Sequence, residues 1–194
     1  MFQNIEIEFK NMLMKEEYDF LLKKFNIAEK SIITQENHYF DTLDFALKNK
    51  HSALRIRQKG KQYEMTLKQP ADVGLLETTQ KITEKEAALA IQESKLPGGA
   101  IKDLLSKINI VFSEMRYFGS LVTKRAELEY KGGLLVLDHS LYLNKEDFEL
   151  EYEVENDQIG KQNFEVLLNK YAIPHRKTEN KIQRFYRQKY IQNN

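Results

Sequence analysis

The sequence predicts an α+β protein built on a closed antiparallel β-barrel of about eight strands, with helices packed on its outside. Three observations predict it. Nine segments alternate polar and apolar residues with the period of two typical of strands, and five others have helical spacing. The polar faces of the strands gather repeated Arg, Lys and Glu. If helices cover the apolar faces, the charged faces line an interior that has room for one small ligand.

The predicted elements follow one another along most of the chain. Strand-like alternation covers residues 4–10, 35–41, 53–58, 63–68, 75–82, 111–118, 124–130, 134–139 and 148–155. Helical spacing covers residues 15–25, 83–94, 101–108, 159–171 and 179–190. Thr83, followed three residues later by Glu86, is a capping-box signal for the start of the second helix. No repeat and no linker rich in Pro, Gly or Ser divides the chain, so we expect one domain over residues 1–194.

Charged residues recur on one face of the strands, because successive side chains of a strand point to opposite sides. In the first strand Glu6, Glu8 and Lys10 share one face, and apolar residues occupy the other. The charged faces of later strands hold Arg55 and Arg57; Glu64, Thr66 and Lys68; Arg125, Glu127 and Glu129; and Glu149, Glu151 and Glu153. Like charges on one face repel each other. So many strands of this kind predict a ligand that neutralises both the acidic and the basic set.

A polyphosphate with a divalent metal ion has the chemistry to do this. Arg guanidinium and Lys ammonium groups match phosphate oxygens. Clustered carboxylates bind Mg²⁺ or Mn²⁺, which are hard cations that prefer oxygen ligands. The charged interior therefore predicts a site for a phosphate chain and a metal.

Composition excludes several other classes of protein. No apolar run approaches the ~20 residues that a membrane helix needs, and Glu6 and Glu8 make the N-terminus unlike a secretory signal. Cysteine is absent, which excludes disulfides and thiolate metal sites and suits the cytoplasm. The net charge of +1 argues against stable nucleic-acid binding. Whether the chain is a monomer or a homodimer stays open.

An ordered set of motifs resembles the CYTH superfamily, also called triphosphate tunnel metalloenzymes. Glu6-Ile7-Glu8-Phe9-Lys10 is similar to the E-x-E-x-K signature of that family. Further matches, in the family's order, are Tyr39-Phe40-Asp41-Thr42, Ala53-Leu54-Arg55-Ile56-Arg57, Thr66-Leu67-Lys68, Arg125, Asp138, the acidic strand with Glu149, Glu151 and Glu153, and Lys177. The resemblance extends through nearly the whole chain and is to the short, stand-alone bacterial members.

The resemblance implies an eight-stranded antiparallel tunnel that binds a triphosphate with Mg²⁺ or Mn²⁺. Residues implied to hold triphosphate oxygens are Lys10, Arg55, Arg57, Lys68, Arg125 and Lys177. Implied metal ligands are Glu6, Glu8, Asp138 and two carboxylates of the acidic strand, namely Glu151 with either Glu149 or Glu153. Asp138 has two other interpretations, as the partner of a tunnel Arg or as a turn cap. Those implied to matter most for catalysis are Glu6, Glu8, Lys10 and Arg57.

Three functions fit this implied site. The first is metal-dependent hydrolysis of inorganic triphosphate or of a small organic or nucleoside triphosphate. The second is an adenylate cyclase of the class IV type, which uses the same scaffold as a lyase. The third is a non-catalytic sensor of polyphosphate or of a phosphorylated nucleotide. The complete acidic and basic sets favour a catalyst over a sensor, and inorganic triphosphate makes the fewest demands on the site.

The last predicted helix combines basic and aromatic residues. Such a helix is found in nucleic-acid-binding proteins, but an apolar stripe at Ile182, Phe185 and Tyr186 is also typical of a helix that packs on a core. We favour packing, with the basic face in solvent. Lys177, just before this helix, is the exception because it matches the family pattern.

Overall fold

The computed structural model describes residues 1–192 and confirms the α+β fold with a closed eight-stranded antiparallel β-barrel. The strands are β1 (Phe2–Leu13), β2 (Ile33–Asp41), β3 (Ala53–Lys59), β4 (Gln62–Pro70), β5 (Leu75–Ile82), β6 (Arg116–Tyr130), β7 (Gly133–Tyr142) and β8 (Lys145–Val154). Their order around the barrel is β1-β5-β4-β3-β2-β6-β7-β8, and β8 pairs with β1.

Six helices accompany the strands within residues 1–192. They are α1 (Lys15–Lys24), α2 (Ala46–Asn49), α3 (Glu84–Glu93), α4 (Ala100–Lys107), α5 (Asp157–Lys170) and α6 (Lys181–Gln192). Thr83 caps α3 as predicted. Its hydroxyl accepts a hydrogen bond from the Glu86 backbone at 3.2 Å, and the Glu86 carboxylate accepts one from the Thr83 backbone at 2.8 Å. None of the helices in residues 1–192 is long and apolar enough to span a bilayer.

The prediction of nine strands was wrong in one region. Segments 111–118 and 124–130 do not form separate strands, because β6 runs unbroken from Arg116 to Tyr130 and a 3-10 turn, Phe112–Glu114, precedes it. Gly119 lies inside β6 with φ of 145°, a value that favours glycine. Glycine there lets the backbone depart from ordinary strand geometry while the strand continues. The short helix α2 was not predicted, since four residues are too few for a helical period to show.

The chain divides into two compact units. The first unit comprises Met1–Ile5 and Gln35–Leu121, and in it β2, β3, β4 and β5 pair in sequence. Its core residues from the strands are Phe40, Leu54, Ile56, Met65 and Leu67, and those from α3 and α4 are Ala87, Ala90, Ile101 and Leu105. The strand residues of this core alternate with Arg55, Thr66 and Lys68. The helices therefore cover the apolar face, and the charged residues lie on the other.

The second unit comprises Glu6–Thr34 and the residues from Val122 onward. In it β6 pairs with β7, β7 with β8, and β8 with β1. The core residues of these strands include Leu13, Leu135, Leu137, Leu150 and Tyr152, and they pack with Tyr18, Leu21, Phe164, Leu167 and Leu168 of α1 and α5. As in the first unit, helices cover the apolar face of the strands.

Helix α5 approaches the sheet closely at Gly160. A Cβ atom at this position would lie 2.4 Å from Cγ2 of Val154 and 2.9 Å from Cε2 of Phe9. Both distances are shorter than van der Waals contact. The helix can pack at this depth only because residue 160 has no side chain.

Candidate active site

Acidic and basic side chains share one face of the β1–β8 pair in the second unit. The register places Glu8 opposite Glu153, and Lys10 opposite Glu151. Directly opposed residues of an antiparallel pair point to the same side of the sheet. The E-x-E-x-K segment and the acidic strand are thus brought together, on the face opposite to the apolar core.

Lys10 lies among carboxylates. Its ammonium group forms an ion pair with Glu8 and donates a hydrogen bond to Oδ1 of Asn180 at 3.0 Å. Burial disfavours the charged form of Lys10, but the carboxylates of Glu8, Glu151 and Glu149 outweigh burial and raise its pKa. Lys10 is therefore a permanent cation at the centre of this face.

Arg125 of β6 is held by a fork of hydrogen bonds. It donates from Nε to Oδ1 of Asp138 at 2.8 Å, and from one terminal nitrogen to Oδ2 of Asp138 at 2.6 Å and to Glu151 at 2.7 Å. Asp138 is fully buried and lies directly opposite Arg125 in the β6–β7 register. Asp138 thus partners an Arg, which is one of the three interpretations that the sequence left open. Two bonds to one carboxylate fix the plane of the guanidinium group.

Lys181, the first residue of α6, is a cation that the sequence analysis did not select. Its Nζ lies 2.9 Å from Asp138, 2.9 Å from Glu149 and 2.5 Å from Glu151. Burial lowers the pKa of Lys181, but the carboxylates of Asp138, Glu149 and Glu151 raise it well above its usual value. The side chain therefore stays protonated even though only 14% of it is exposed.

Arg184, one helical turn further on, binds the same acidic strand. It donates hydrogen bonds to Glu149 at 2.7 Å and, through Nε, to Asp147 at 3.0 Å. Glu149 is completely buried. Lys181, Arg184 and Phe185 lie at i, i+3 and i+4, so they share one face of α6. This spacing was the sequence signal that could have identified Lys181 and Arg184. Basic residues on the same helix face as a core aromatic residue, here Phe185, are expected to point toward the protein interior.

Lys177 does not lie in this cluster. It is exposed, in the segment that precedes α6. Lys181, four residues later, contacts the carboxylates instead. Lys177 was selected because it follows the other family motifs in chain order. Chain order alone could not distinguish Lys177 from Lys181, which lies only four residues later.

The segment before α6, residues 174–178, forms hydrogen bonds with residues of β1 and α1. Buried Asn11 donates a hydrogen bond to the Pro174 carbonyl at 3.1 Å and accepts one from the Arg176 backbone at 2.7 Å. Arg176 donates two further bonds to the Glu17 carboxylate, at 2.7 and 2.8 Å. The Met12 backbone donates to the Thr178 hydroxyl at 2.9 Å. These bonds fix the point at which α6 begins and thus the position of Lys181.

Glu153 differs from the other two glutamates of β8. A terminal nitrogen of Arg125 lies 3.8 Å from its carboxylate, and 29% of its side chain is exposed. Burial raises the pKa of Glu153 to about 7; Arg125 opposes this shift, while the carboxylates of Glu6, Glu151 and Glu8 add to it. Glu149 and Glu151 each have a cation within 2.7 Å, so Arg125 is a more distant partner for Glu153 than these cations are for the other two. Among residues 1–192, buried Oε1 of Glu149 has no hydrogen-bond partner.

Charged residues of the first unit also share one strand face. Glu77 of β5 lies directly opposite Lys68 of β4, and its carboxylate is 2.5 Å from Lys68 Nζ and 3.7 Å from a terminal nitrogen of Arg55. Burial raises the pKa of Glu77, but Lys68, Arg55 and Arg57 outweigh it and lower the pKa below its usual value. Arg57 donates from Nε to Oδ1 of Asn37 at 2.9 Å. The structure thus groups Arg55, Arg57 and Lys68 as predicted, and adds Glu77 to them.

Asp41, in the Tyr39-Phe40-Asp41-Thr42 segment, organises the turn between β2 and β3. Its carboxylate is buried and accepts hydrogen bonds from the backbone of Thr42 at 2.8 Å, of Leu47 at 2.9 Å and of Lys48 at 3.1 Å. These bonds hold α2 against the end of β2. They also set where β3, which carries Arg55 and Arg57, begins.

The carboxylates of the second unit differ from a preformed metal site. Among residues 1–192, no three His, Asp or Glu side chains already converge in a coordinating arrangement. Several carboxylates instead contact lysine or arginine. Glu6, Glu8 and Glu153 nevertheless fit a divalent cation, because the carboxylates of Glu6 and Glu8 contribute to the raised pKa of Glu153 and hard cations bind clustered carboxylate oxygens.

Comparisons with known proteins agree with this architecture. A family model described as "CYTH domain" matches residues 4–186. The Bacillus subtilis protein named "Putative triphosphatase YjbK" is 52% identical over 189 residues, which cover 97% of this chain and 98% of that protein.

Solved structures show the same fold. One from Bacillus halodurans, described as "a putative adenylate cyclase", is 43% identical with a TM-score of 0.93, and the match covers 96% of this chain and all of that one. A Hippeastrum protein, described as a "Putative adenylyl cyclase" with "a dominant triphophatase activity", is 22% identical with a TM-score of 0.78, and the match covers 94% of this chain and 95% of that one. The Hippeastrum protein is similar in fold alone.

Proposed function

This chain belongs to the CYTH domain family, and from that premise we propose that it is a metal-dependent triphosphatase. Its substrate in this proposal is inorganic triphosphate or a small organic or nucleoside triphosphate. The observation that carries the proposal is the unequal balance of charge in the second unit. Lys10, Arg125 and Lys181 are buried among carboxylates, yet Glu153 is left with a pKa raised to about 7. The name "Putative triphosphatase YjbK" of the Bacillus subtilis protein, which is 52% identical, supports the proposal.

The proposal assigns the phosphate oxygens to the basic side chains of the strands. These are Lys10, Arg55, Arg57, Lys68 and Arg125. Lys181 is assigned the role that the family resemblance implied for Lys177, because Lys181 is buried against carboxylates whereas Lys177 is exposed. Preorganised cations of this kind act in a partly dehydrated site, where electrostatic interactions are stronger than in water.

Glu6, Glu8 and Glu153 are assigned as the residues that would hold the divalent cation, Mg²⁺ or Mn²⁺. Burial is the largest cause of the raised pKa of Glu153, and repulsion from Glu6, Glu151 and Glu8 adds to it, so a cation there would lower this pKa. When bound, it would supply a positive charge that neutralises phosphate oxygens and polarises the terminal phosphoryl group. Glu151 lies next to this group but also accepts a hydrogen bond from Arg125. Glu149 and Asp138 are assigned to orient Arg184, Lys181 and Arg125.

The proposed reaction is transfer of the terminal phosphoryl group to water. The oxygen of water forms a bond to the terminal phosphorus and the water gives up one proton to the surrounding solvent. The bond from that phosphorus to the bridging oxygen breaks, and the shortened phosphate chain departs with the electron pair. The cations of the chain would hold the substrate extended and stabilise the charge on the leaving group. Positioning and electrostatics would account for most of the rate enhancement.

An activity panel tests the proposal. The protein would be incubated with inorganic triphosphate, ATP and thiamine triphosphate, with Mg²⁺ or Mn²⁺ and with an excess of chelator. Orthophosphate and cyclic AMP would both be measured. The proposal expects metal-dependent release of orthophosphate. Turnover that persists undiminished in chelator would contradict the metal assignment.

A cyclase is the second candidate, because the Bacillus halodurans structure at 43% identity is described as "a putative adenylate cyclase". A cyclase would release diphosphate and cyclic AMP from ATP and would leave inorganic triphosphate intact. The same panel therefore separates the two activities. Binding of triphosphate without either product would instead indicate the sensor that the sequence analysis considered.

The proposal also includes a setting for the protein. A cysteine-free chain suits a reducing cytoplasm, and a net charge of +1 suits a small-molecule partner better than nucleic acid. Gel filtration with light scattering would decide between a monomer and a homodimer.

A further inference from the structure

Glu77 is an acidic residue inside the basic group of the first unit. It forms ion pairs with Lys68 of β4 and with Arg55 of β3. Both residues are among those assigned to phosphate oxygens. The side chains of Arg55, Lys68 and Glu77 are 15%, 19% and 14% exposed, so all three are largely removed from solvent. A carboxylate in this position contacts the same cations that a phosphate oxygen would contact.

Glu77 does not use the full hydrogen-bonding capacity of Arg55. The Arg55–Glu77 distance of 3.7 Å is an ion pair at longer range than a charge-assisted hydrogen bond, which is about 2.8 Å. Within residues 1–192, buried Nε of Arg55 has no hydrogen-bond partner. The guanidinium group of Arg55 thus retains the capacity to donate to a second anion. An Arg whose role was only to pair with Glu77 would be expected to do so through a close bidentate contact, as Arg125 does with Asp138.

We propose that Glu77 is an internal competitor for the anion site formed by Arg55 and Lys68, and that it limits how tightly the site holds phosphate. This inference rests on the proposed function. An incoming phosphate must either displace the carboxylate from Lys68 or bind beside it, and both alternatives weaken binding through like-charge repulsion. A site with several cations and no internal anion would retain diphosphate and orthophosphate after each turnover. Glu77 would thereby favour release of the products.

The test is a binding measurement that does not depend on turnover. Isothermal titration calorimetry would follow inorganic triphosphate, and separately diphosphate, binding to the full chain in an excess of chelator. We expect Glu77→Gln to bind both anions about tenfold more tightly, because the substitution removes one negative charge and keeps the size of the side chain. Glu77→Asp keeps the charge and should bind like the wild type. The gain should diminish at high salt.

Glu93→Gln is the matched control. Glu93 is an exposed residue of α3, the helix that covers the apolar face of the strands, and it pairs with Lys95 at 2.6 Å. Its substitution therefore changes the net charge by the same amount but on the side of the sheet opposite to the phosphate residues. Its affinity should not change. Equal or weaker binding by Glu77→Gln, or equal tightening in Glu93→Gln, would overturn the proposal. So would failure of Glu77→Gln to fold, judged by circular dichroism, since this would make Glu77 a structural partner.

Diphosphate inhibition provides a second readout. In the triphosphatase assay, diphosphate should inhibit Glu77→Gln at about a tenth of the concentration that inhibits the wild type. If the wild type hydrolyses triphosphate but Glu77→Gln shows no tighter binding, only this inference fails. If the wild type neither binds nor hydrolyses triphosphate, the proposed function itself fails.

Discussion

Glu8 and Glu153 lie directly opposite each other on β1 and β8. Glu8 has the ammonium group of Lys10 as its ion-pair partner, whereas Arg125, at 3.8 Å from Glu153, is already hydrogen-bonded to Asp138 and Glu151. The two carboxylates thus differ in the positive charge available to them. Their arrangement makes the folded protein sensitive to pH and to cations in ways that can be measured.

Stability should depend on the protonation of Glu153. Its pKa is raised from 4.5 to about 7, so the folded state binds this proton more tightly than the unfolded state does. The resulting stabilisation is complete below about pH 4.5 and is lost as the pH rises through about 7. In chelator at pH 8, Glu153→Gln should therefore be about 2 kcal/mol more stable than the wild type. Near pH 4.5 the difference should be small.

Denaturant unfolding of both proteins between pH 4.5 and 8.5 would measure this difference. Glu93→Gln serves as the control, since its exposed carboxylate should give no pH-dependent gain. A Glu153→Gln protein that is no more stable than the wild type at pH 8 would show that the charge of Glu153 is balanced in the folded state.

Loss of Glu8 should remove the response to metal. Mg²⁺ or Mn²⁺ should raise the melting temperature of the wild type at pH 8, because a ligand that binds only the folded state stabilises it. In Glu8→Gln this rise should be largely absent, and turnover should fall by roughly a hundredfold or more. Arg57→Ala is the matched comparison. It should lose turnover to a similar degree and keep the metal-induced rise, which differential scanning fluorimetry would detect.

Lys181 and Lys177 should differ sharply. Lys181→Met would leave buried Asp138 and Glu149 with less positive charge, so it should destabilise the protein by about 3 kcal/mol or more and reduce turnover. Lys177→Met should stay within about 0.5 kcal/mol of the wild type, because Lys177 is exposed. Denaturant unfolding and the triphosphatase assay would compare the two. If turnover were lost only in Lys177→Met, Lys177 and not Lys181 would be the lysine that binds triphosphate oxygens.

Asp41 should act on stability more than on chemistry. Asp41→Ala removes the acceptor of three backbone hydrogen bonds and should cost about 2 kcal/mol. Asp44→Ala, in the same turn, removes one hydrogen bond with the Thr42 hydroxyl and should cost about 1 kcal/mol or less. Turnover at low temperature, where Asp41→Ala is still folded, should stay within about threefold of the wild type. A hundredfold loss there would place Asp41 among the residues that contact substrate.

Gly160→Ala should be destabilising through a clash. The new methyl group would meet Val154 Cγ2 at 2.4 Å, and overpacking of this kind costs about 1–3 kcal/mol. Val154→Ala should partly relieve it, so the double variant should be more stable than the sum of the single changes predicts. A double-mutant cycle from thermal unfolding would measure this coupling. Strict additivity would mean that α5 shifts to avoid the clash.

Much of the fold could be predicted from sequence because most strands contain a stretch in which polar and apolar residues alternate. The segment 75–82 is β5 to the residue, and Thr83 caps the next helix as the capping box indicated. The same period placed Glu8, Lys10 and Glu151 on one face, and the structure brings them together. Local patterns of this kind are repeated within a single element, so they can be seen without knowing what lies next to it.

The rest depended on contacts between distant segments. The last helix looked like a core stripe with a solvated basic face, but Lys181 and Arg184 are directed at Glu149, 32 and 35 residues earlier in the chain. The proposal of Glu153 rather than Glu149 as a metal ligand likewise needed the positions of the cations. Asp41 appeared to be a residue that ends a strand, and only the structure shows that it accepts three backbone hydrogen bonds of the turn that follows.

The attachment of the segment before α6 to Asn11 has a consequence for biosynthesis. Lys181 and Arg184 leave the ribosome about thirty residues after Glu149 and Glu151, whose counter-charges they supply. A growing polypeptide can pair its strands early, but it has to keep Glu149 and Glu151 hydrated until α6 arrives. A product whose translation stops a few codons short of α6 would therefore lack the lysine and arginine that pair with Glu149 and Glu151, even if its strands fold.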